Sequence, residues 1–256
     1  MAAKVPWIGT SWKMNKTRQQ ARAFADALAD SPIASSDALQ SFVVPPFTAI
    51  ADVAAILAGT RVRVGAQNMH WAEAGPWTGE VSASMIKDVG ASLVEIGHSE
   101  RREHFGETDE TVALKAKAAV AHGLVALVCV GDTRAEHEAG ETSPVLARQV
   151  RAALSGIDRA SCANVVIAYE PVWSIGEGGA PADPDFVDLQ HRGIKEIAKG
   201  VFGAPVDVVY GGSVNPDNCR RYMTRANVDG LFIGRSAWEA AGYIDIVEIV
   251  LGLRRS

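Results

Sequence analysis

In Ala168-Tyr169-Glu170-Pro171-Val172-Trp173-Ser174-Ile175-Gly176 an apolar run ends on a single carboxylate and then breaks at a proline. The run from Val165 to Tyr169 shows no polar alternation, which is the pattern of a strand covered on both faces of a parallel sheet. Glu170 stands at its tip. The glycines and prolines of Gly176-Glu177-Gly178-Gly179-Ala180-Pro181 predict a loop able to swing as a lid. A base beside a water-excluding flap suits removal of a proton from a carbon next to a carbonyl.

The same pattern recurs on either side. Predicted strands cover residues 7–11, 42–44, 62–66, 93–96, 126–130, 165–169, 206–210 and 231–233. Helical patterns fill 18–28, 49–57, 111–121, 145–154, 186–198, 216–223 and 243–253. Eight βα units in 256 residues predict one α/β domain spanning 1–256, a closed (β/α)8 TIM barrel. Gly59, Gly90, Gly123 and Gly200 follow apolar helical runs and are expected as left-handed caps.

Composition narrows the function. An apolar fraction of 48% is enough for one large core. Twenty-five basic residues against thirty acidic ones leave a formal charge of −5, which disfavours nucleic acid and anionic membranes as partners. An anionic substrate would therefore need a local positive site. No apolar run approaches a membrane span, and Met1-Ala2-Ala3-Lys4-Val5-Pro6 lacks the apolar centre of a signal peptide. Cys129, Cys162 and Cys219 have no metal-type spacing and cannot all pair, so a reducing cytoplasm is expected.

In a parallel barrel, reactive groups gather where strands end. Those junctions read Ser11-Trp12-Lys13, His98-Ser99-Glu100, Cys129-Val130-Gly131-Asp132, Glu170, Gly211-Gly212-Ser213 and Gly234-Arg235-Ser236. Lys13, two residues past Ser11 and expected on the same pleat face, offers an ammonium for phosphate and oxyanion charge; taken alone it also fits a solvated surface lysine. His98 is expected at the start of a short helix near Ser99, where the dipole disfavours the imidazolium and a neutral ring can donate to a carbonyl. Glu170 is the candidate base, with apolar neighbours raising its pKa; pairing with an arginine is the other possibility. Glu100 is expected either to orient Lys13 or to form a structural ion pair. Gly212, Ser213 and Gly234, with Gly176 from the lid, expose backbone N–H groups suited to an anion.

The motifs Trp12-Lys13-Met14-Asn15, Ile96-Gly97-His98-Ser99-Glu100-Arg101-Arg102, Tyr169-Glu170-Pro171-Val172-Trp173 and Tyr210-Gly211-Gly212-Ser213-Val214 together resemble the triosephosphate isomerase family over the whole chain. The resemblance implies catalytic Lys13, His98 and Glu170, support from Glu100 and Cys129, no cofactor and no metal. The pairing of a glutamate base with a neutral histidine is the family's known arrangement and is carried over here. A homodimer is also implied, with the loop from Gln67 to Ser82 reaching the partner through a tip near Thr78.

The sequence departs from the family at several site positions. Ser11 stands where the family has asparagine, Arg235 replaces the second glycine of the last phosphate loop, and the lid tip is Gly176-Glu177-Gly178-Gly179 rather than Gly-Thr-Gly-Lys. The runs 7–17 and 230–238 resemble a side branch, the erythrulose-phosphate isomerases of erythritol and threitol breakdown. That resemblance implies interconversion of L-erythrulose 1-phosphate and D-erythrulose 4-phosphate through an enediolate, the alternative being the glycolytic triose reaction. Ser11, smaller than asparagine, is then expected to open the end of the site remote from phosphate; simple repacking beside Trp12 is the other reading. For Arg235, a grip on phosphate and a side chain turned to a carboxylate both stay open.

Overall fold

A computed structural model of the chain describes residues 5–176 and 179–252. Strands β1 (Trp7–Ser11), β2 (Gln40–Val44), β3 (Arg63–Ala66), β4 (Leu93–Ile96), β5 (Val125–Val130), β6 (Val165–Tyr169), β7 (Asp207–Tyr210) and β8 (Gly230–Ile233) pair in sequence order, and β8 pairs back onto β1 to close the barrel. Every pair is parallel, so a helical or irregular crossover must return the chain to the same end after each strand. Alternation along each strand divides the apolar residues into two groups. Trp7, Phe42, Val44, Leu93, Leu127, Val166, Val209 and Phe232 fill the barrel interior. Ile8, Val43, Val94, Val128 and Ile167 face the helices.

Local chemistry explains the helices. Arg18–Ala29 begins at a capping box in which Thr17 and Gln20 satisfy each other's backbone N–H groups. Its buried face carries Ala21, Phe24, Ala25 and Leu28, the stripe the sequence predicts. The helix Asp109–Ala121 is capped in the same way by Thr108 and Thr111. Gly59, Gly90 and Gly123 adopt positive φ, as expected of caps. Gly200 does not. It lies inside the helix Pro184–Phe202, and Gly203 at φ +80° is the cap. Phe202, buried on that helix's inner side, supplies enough packing to carry the helix past the glycine. The helix expected from residue 216 starts only at Cys219, because the Asn215 side chain accepts from the Asp217 and Asn218 N–H groups and holds a turn there. Short helices Ala83–Asp88 and Arg134–Glu138 complete crossovers that carry no helical periodicity in the sequence.

Among the described residues no helix is long and apolar enough to cross a membrane. Cys129, Cys162 and Cys219 are free thiols.

Candidate active site

A cavity of about 340 Å³ opens at the C-terminal ends of the strands. Ser11, Lys13, His98 and Glu170 line it, together with Gly176, Gly211, Gly212, Ser213, Gly234 and Arg235. Of the candidate site residues, Glu100 and Cys129 stand outside this wall. Glu100 holds the Lys13 ammonium at 2.6 Å. Cys129 lies behind Glu170, near enough for each to influence the other's pKa, and faces a second cavity.

Lys13 departs from the expected pleat. β1 ends at Ser11, and Lys13 takes φ +53°, a left-handed conformation rare for a residue with a side chain. Its carbonyl accepts from Gln67 Nε2 at 2.9 Å, so the start of the 67–82 segment helps hold this turn. Ser11 remains on the strand and faces the interior, its backbone carbonyl accepting from Trp238 Nε1 at 3.0 Å.

His98 is the N-cap of the helix Ser99–Phe105, and its Nδ1 accepts the Glu100 backbone N–H at 3.2 Å. That bond places the proton of a neutral ring on Nε2. Burial, reinforced by the Lys13 ammonium and opposed by Glu100, lowers the imidazole pKa to about 4. The ring is therefore uncharged at neutral pH. Nε2 lies 3.7 Å from Glu170 Oε2.

Glu170 is 3% exposed, and its Oε2 has no hydrogen-bond partner among the described residues. Burial, with the neighbouring Glu95 carboxyl, holds its pKa well above the ordinary carboxylate range, against the opposing pull of Lys13 and Cys129. No arginine pairs with it among the described residues. Its backbone N–H donates to the Val130 carbonyl at 2.8 Å, and its side chain lies over Gly211, where an added Cβ would meet Glu170 Cγ at 2.6 Å. Gly211→Ala should therefore push the carboxyl aside. The expected result is a fall in kcat of roughly tenfold or more, with a melting temperature within a few degrees of wild type. Unchanged kcat would show that the carboxyl position is not set by this contact.

Burial alone would raise the Glu100 carboxyl, but its bond to Lys13 and the charges around it leave its pKa below the ordinary value. Glu100 is thus an anion that fixes the ammonium in place.

The anion cradle comes from three loops. An added Cβ at Gly212 would strike the Tyr210 hydroxyl at 2.2 Å, so only glycine permits the chain to turn there. The Ser213 N–H points toward Ser174 Oγ at 3.4 Å, and the Ser174 and Tyr210 hydroxyls are 3.2 Å apart. Gly176 adopts φ +83°. Glu177 and Gly178 of the expected lid tip lie outside the described residues. The start of the lid is anchored by Trp173, whose Nε1 donates to buried Asp132 at 3.2 Å and whose ring stacks on His137. Arg235 is exposed on the cavity wall, and its guanidinium has no carboxylate partner among the described residues.

Glu95 is a further site residue, not among those expected at the strand ends. It lies on β4 with its side chain inside the barrel, 2% exposed, and Ser11 Oγ donates to its Oε2 at 2.8 Å. Its Oε1 is 3.9 Å from His98 Nε2. A charged residue on the inward-facing side of Leu93-Val94-Glu95-Ile96, two positions after interior Leu93, was the available signal. Glu95, His98 and Glu170 each place a ligand atom within 4.8 Å of the others, a spacing that a divalent cation can use. Their chemistry equally suits proton transfer, since the ring is neutral and both carboxyls have raised pKa values.

An ammonium, an uncharged imidazole and a high-pKa carboxyl beside a glycine-lined anion cradle make a proton-transfer site, and at this rim of a closed parallel barrel they define a sugar-phosphate isomerase. The family model for triosephosphate isomerase matches residues 6–250, and the chain belongs to that family. It is 56% identical to an L-erythrulose-1-phosphate isomerase of Rhizobium etli over 95% of this chain and 91% of the relative. It is 55% identical to one of Rhizobium meliloti over 95% and 96% of the two chains. A crystal structure of triosephosphate isomerase from Bartonella henselae superimposes with a TM-score of 0.83 at 34% identity, covering 96% of this chain and 98% of that one.

Proposed function

We propose that the chain interconverts L-erythrulose 1-phosphate and D-erythrulose 4-phosphate, without a cofactor, through an enediolate. The observation that carries this reading is the 56% identity to the Rhizobium etli relative over nearly the whole chain, since that relative is named for this substrate. The chemistry is consistent with it. From the phosphate end, the tetrose phosphate is dihydroxyacetone phosphate with a hydroxymethyl group added at the hydroxyl-bearing carbon. Phosphate, carbonyl and migrating proton keep their relative positions.

In the proposed mechanism, backbone N–H groups near Gly212, Ser213, Gly234, Arg235 and Gly176 receive the phosphate, and the 176–181 loop closes over it. Glu170 takes the proton from C3 of the substrate. The C3–H electron pair forms the C2–C3 double bond, and negative charge moves onto the C2 oxygen beside Lys13 and the His98 Nε2–H. His98 helps pass a proton from the C3 oxygen to the C2 oxygen. Glu170 then returns its proton to C2 and leaves a carbonyl at C3, with no net gain or loss of electrons. A base with a raised pKa is suited to the first step, and a neutral imidazole to the second.

Wild-type kcat/KM should favour the tetrose phosphate over dihydroxyacetone phosphate. Ser11→Asn adds bulk at the floor of the cavity and should move that ratio roughly tenfold toward the triose. An unmoved ratio would leave Ser11 as packing only. Wild-type preference for dihydroxyacetone phosphate would support the glycolytic reaction instead.

The reading also takes residues 1–256 as one domain working in the cytoplasm, in keeping with the free thiols. It pairs two copies through the loop from Gln67 to Ser82. In support, that loop presents Trp77, 47% exposed, and Met14, 98% exposed, is available for the same contact. Thr78 sits in the turn closed by the Glu80 N–H to the Trp77 carbonyl.

A further inference from the structure

We propose that Glu95 is a positioning residue for substrate selection: it accepts the Ser11 hydroxyl hydrogen bond and so presents the Ser11 oxygen as an acceptor for the terminal hydroxyl of a four-carbon ketose phosphate. This rests on the tetrose reading above.

Ser11 is the last residue of β1, and Glu95 is the third residue of the four in β4. Both face the interior, so they sit at the floor of the cavity. The anion cradle is built from loops beyond the strand ends, at the rim. A substrate hung by its phosphate from the rim directs its far end toward the floor. Ser11 lines the cavity there and Glu95 lies behind it.

The fold has no need of a carboxyl at this position. Leu93 lies two residues earlier on the same inner face and Leu127 is the register partner of Glu95 on β5, and a buried carboxyl there carries a desolvation cost that a leucine would not. Its one hydrogen bond among the described residues is the 2.8 Å contact from Ser11 Oγ. A serine hydroxyl has a single proton. Spent on Glu95, it leaves the oxygen lone pairs for the cavity. A sugar hydroxyl donating to that oxygen completes a chain in which each bond polarises the next: substrate hydroxyl to Ser11, Ser11 to Glu95. Dihydroxyacetone phosphate ends one carbon earlier, at its C3 hydroxyl, and lacks the C4 hydroxyl that would join the chain.

Glu95 also acts on the base. Lys13, His98, Glu100, Glu107, Cys129 and Glu170 surround it electrostatically. Mainly by burial, its pKa is raised to about 7. Its carboxyl is second only to burial in raising that of Glu170. Removing its charge should lower the Glu170 pKa.

The test measures kcat/KM for L-erythrulose 1-phosphate and dihydroxyacetone phosphate in wild type, Glu95→Gln and Glu95→Met. In Glu95→Met the Ser11 hydroxyl loses its acceptor, and the tetrose-to-triose ratio should fall by at least about tenfold. Glu95→Gln retains an acceptor oxygen and should hold the ratio within about threefold of wild type. It should also shift the acid limb of kcat/KM to lower pH, because the like charge beside Glu170 is gone. The same substrate is used for both proteins, so its own phosphate ionisation cancels. Ser11→Ala removes the relay from the cavity side and should lower the ratio even if Glu95→Met does not fold. An unchanged ratio in Glu95→Met or Ser11→Ala, or an unmoved acid limb in Glu95→Gln, would overturn the role of Glu95 while leaving the reaction intact. A wild-type enzyme inert toward the tetrose phosphate would overturn the substrate assignment and this role with it.

Discussion

Glu170→Asp should fold, bind substrate with KM little changed, and turn over roughly a hundredfold or more slower than wild type. The proposed base is held from two sides. Its backbone is tied to the Val130 carbonyl at 2.8 Å, and its side chain rests on Gly211 with no room for a Cβ beneath it. Aspartate lacks one methylene, so its carboxyl withdraws by about 1 Å, and the tied backbone cannot follow. Among the described residues nothing else in the cavity wall replaces it, because His98 carries its proton on Nε2 with a pKa of about 4 and Glu95 lies behind Ser11. Steady-state kinetics with a thermal melt as control gives the answer. A kcat within about threefold of wild type would remove Glu170 from the role of base.

Lys13→Met should be nearly as damaging, with kcat/KM down by roughly a hundredfold to a thousandfold. The loss has two sources. In the proposed mechanism the ammonium faces the developing enediolate charge, and methionine fills the volume without the charge. The second source is electrostatic. Apart from burial, Lys13 is the main influence lowering the His98 pKa, and it also opposes the burial that raises Glu170. Without it both pKa values rise. Glu100, released from its 2.6 Å bond and already 3.7 Å from His98 Nδ1, then favours an imidazolium. More Glu170 is protonated at a given pH, so the acid limb of kcat/KM should move upward. The variant should lose most at low pH. A uniform loss across pH, with no movement of the limb, would confine Lys13 to binding.

Strands and site were legible for one physical reason. A parallel barrel buries both faces of each strand, so strands read as apolar runs, and the polar or glycine-rich residue that ends each run lies at the rim where catalysis is built. Glu170, His98 and the 211–213 turn were found in this way. Other features depend on contacts that only the folded chain supplies. Gly200 reads as a helix stop, but Phe202 packing carries the helix to Gly203. Lys13 reads as a continuation of β1, but its left-handed φ depends on Gln67 from a distant loop. The helix Ser99–Phe105 starts where it is expected, but it buries no residue and so leaves no apolar stripe that would fix its length. Glu95 was passed over inside a strand, although strict alternation places it on the same inner face as Ser11. The capping box Thr133-Arg134-Ala135-Glu136 was a readable sign of the short helix Arg134–Glu138.

The most direct measurement follows L-erythrulose 1-phosphate by proton and phosphorus NMR in deuterated water with wild-type enzyme and with Glu170→Gln. Wild type should produce D-erythrulose 4-phosphate carrying deuterium on the carbon next to the phosphate-bearing one, and Glu170→Gln should produce almost none. Absence of product with wild type, or equal deuterium incorporation with the variant, would contradict proton transfer by Glu170 on a four-carbon ketose phosphate.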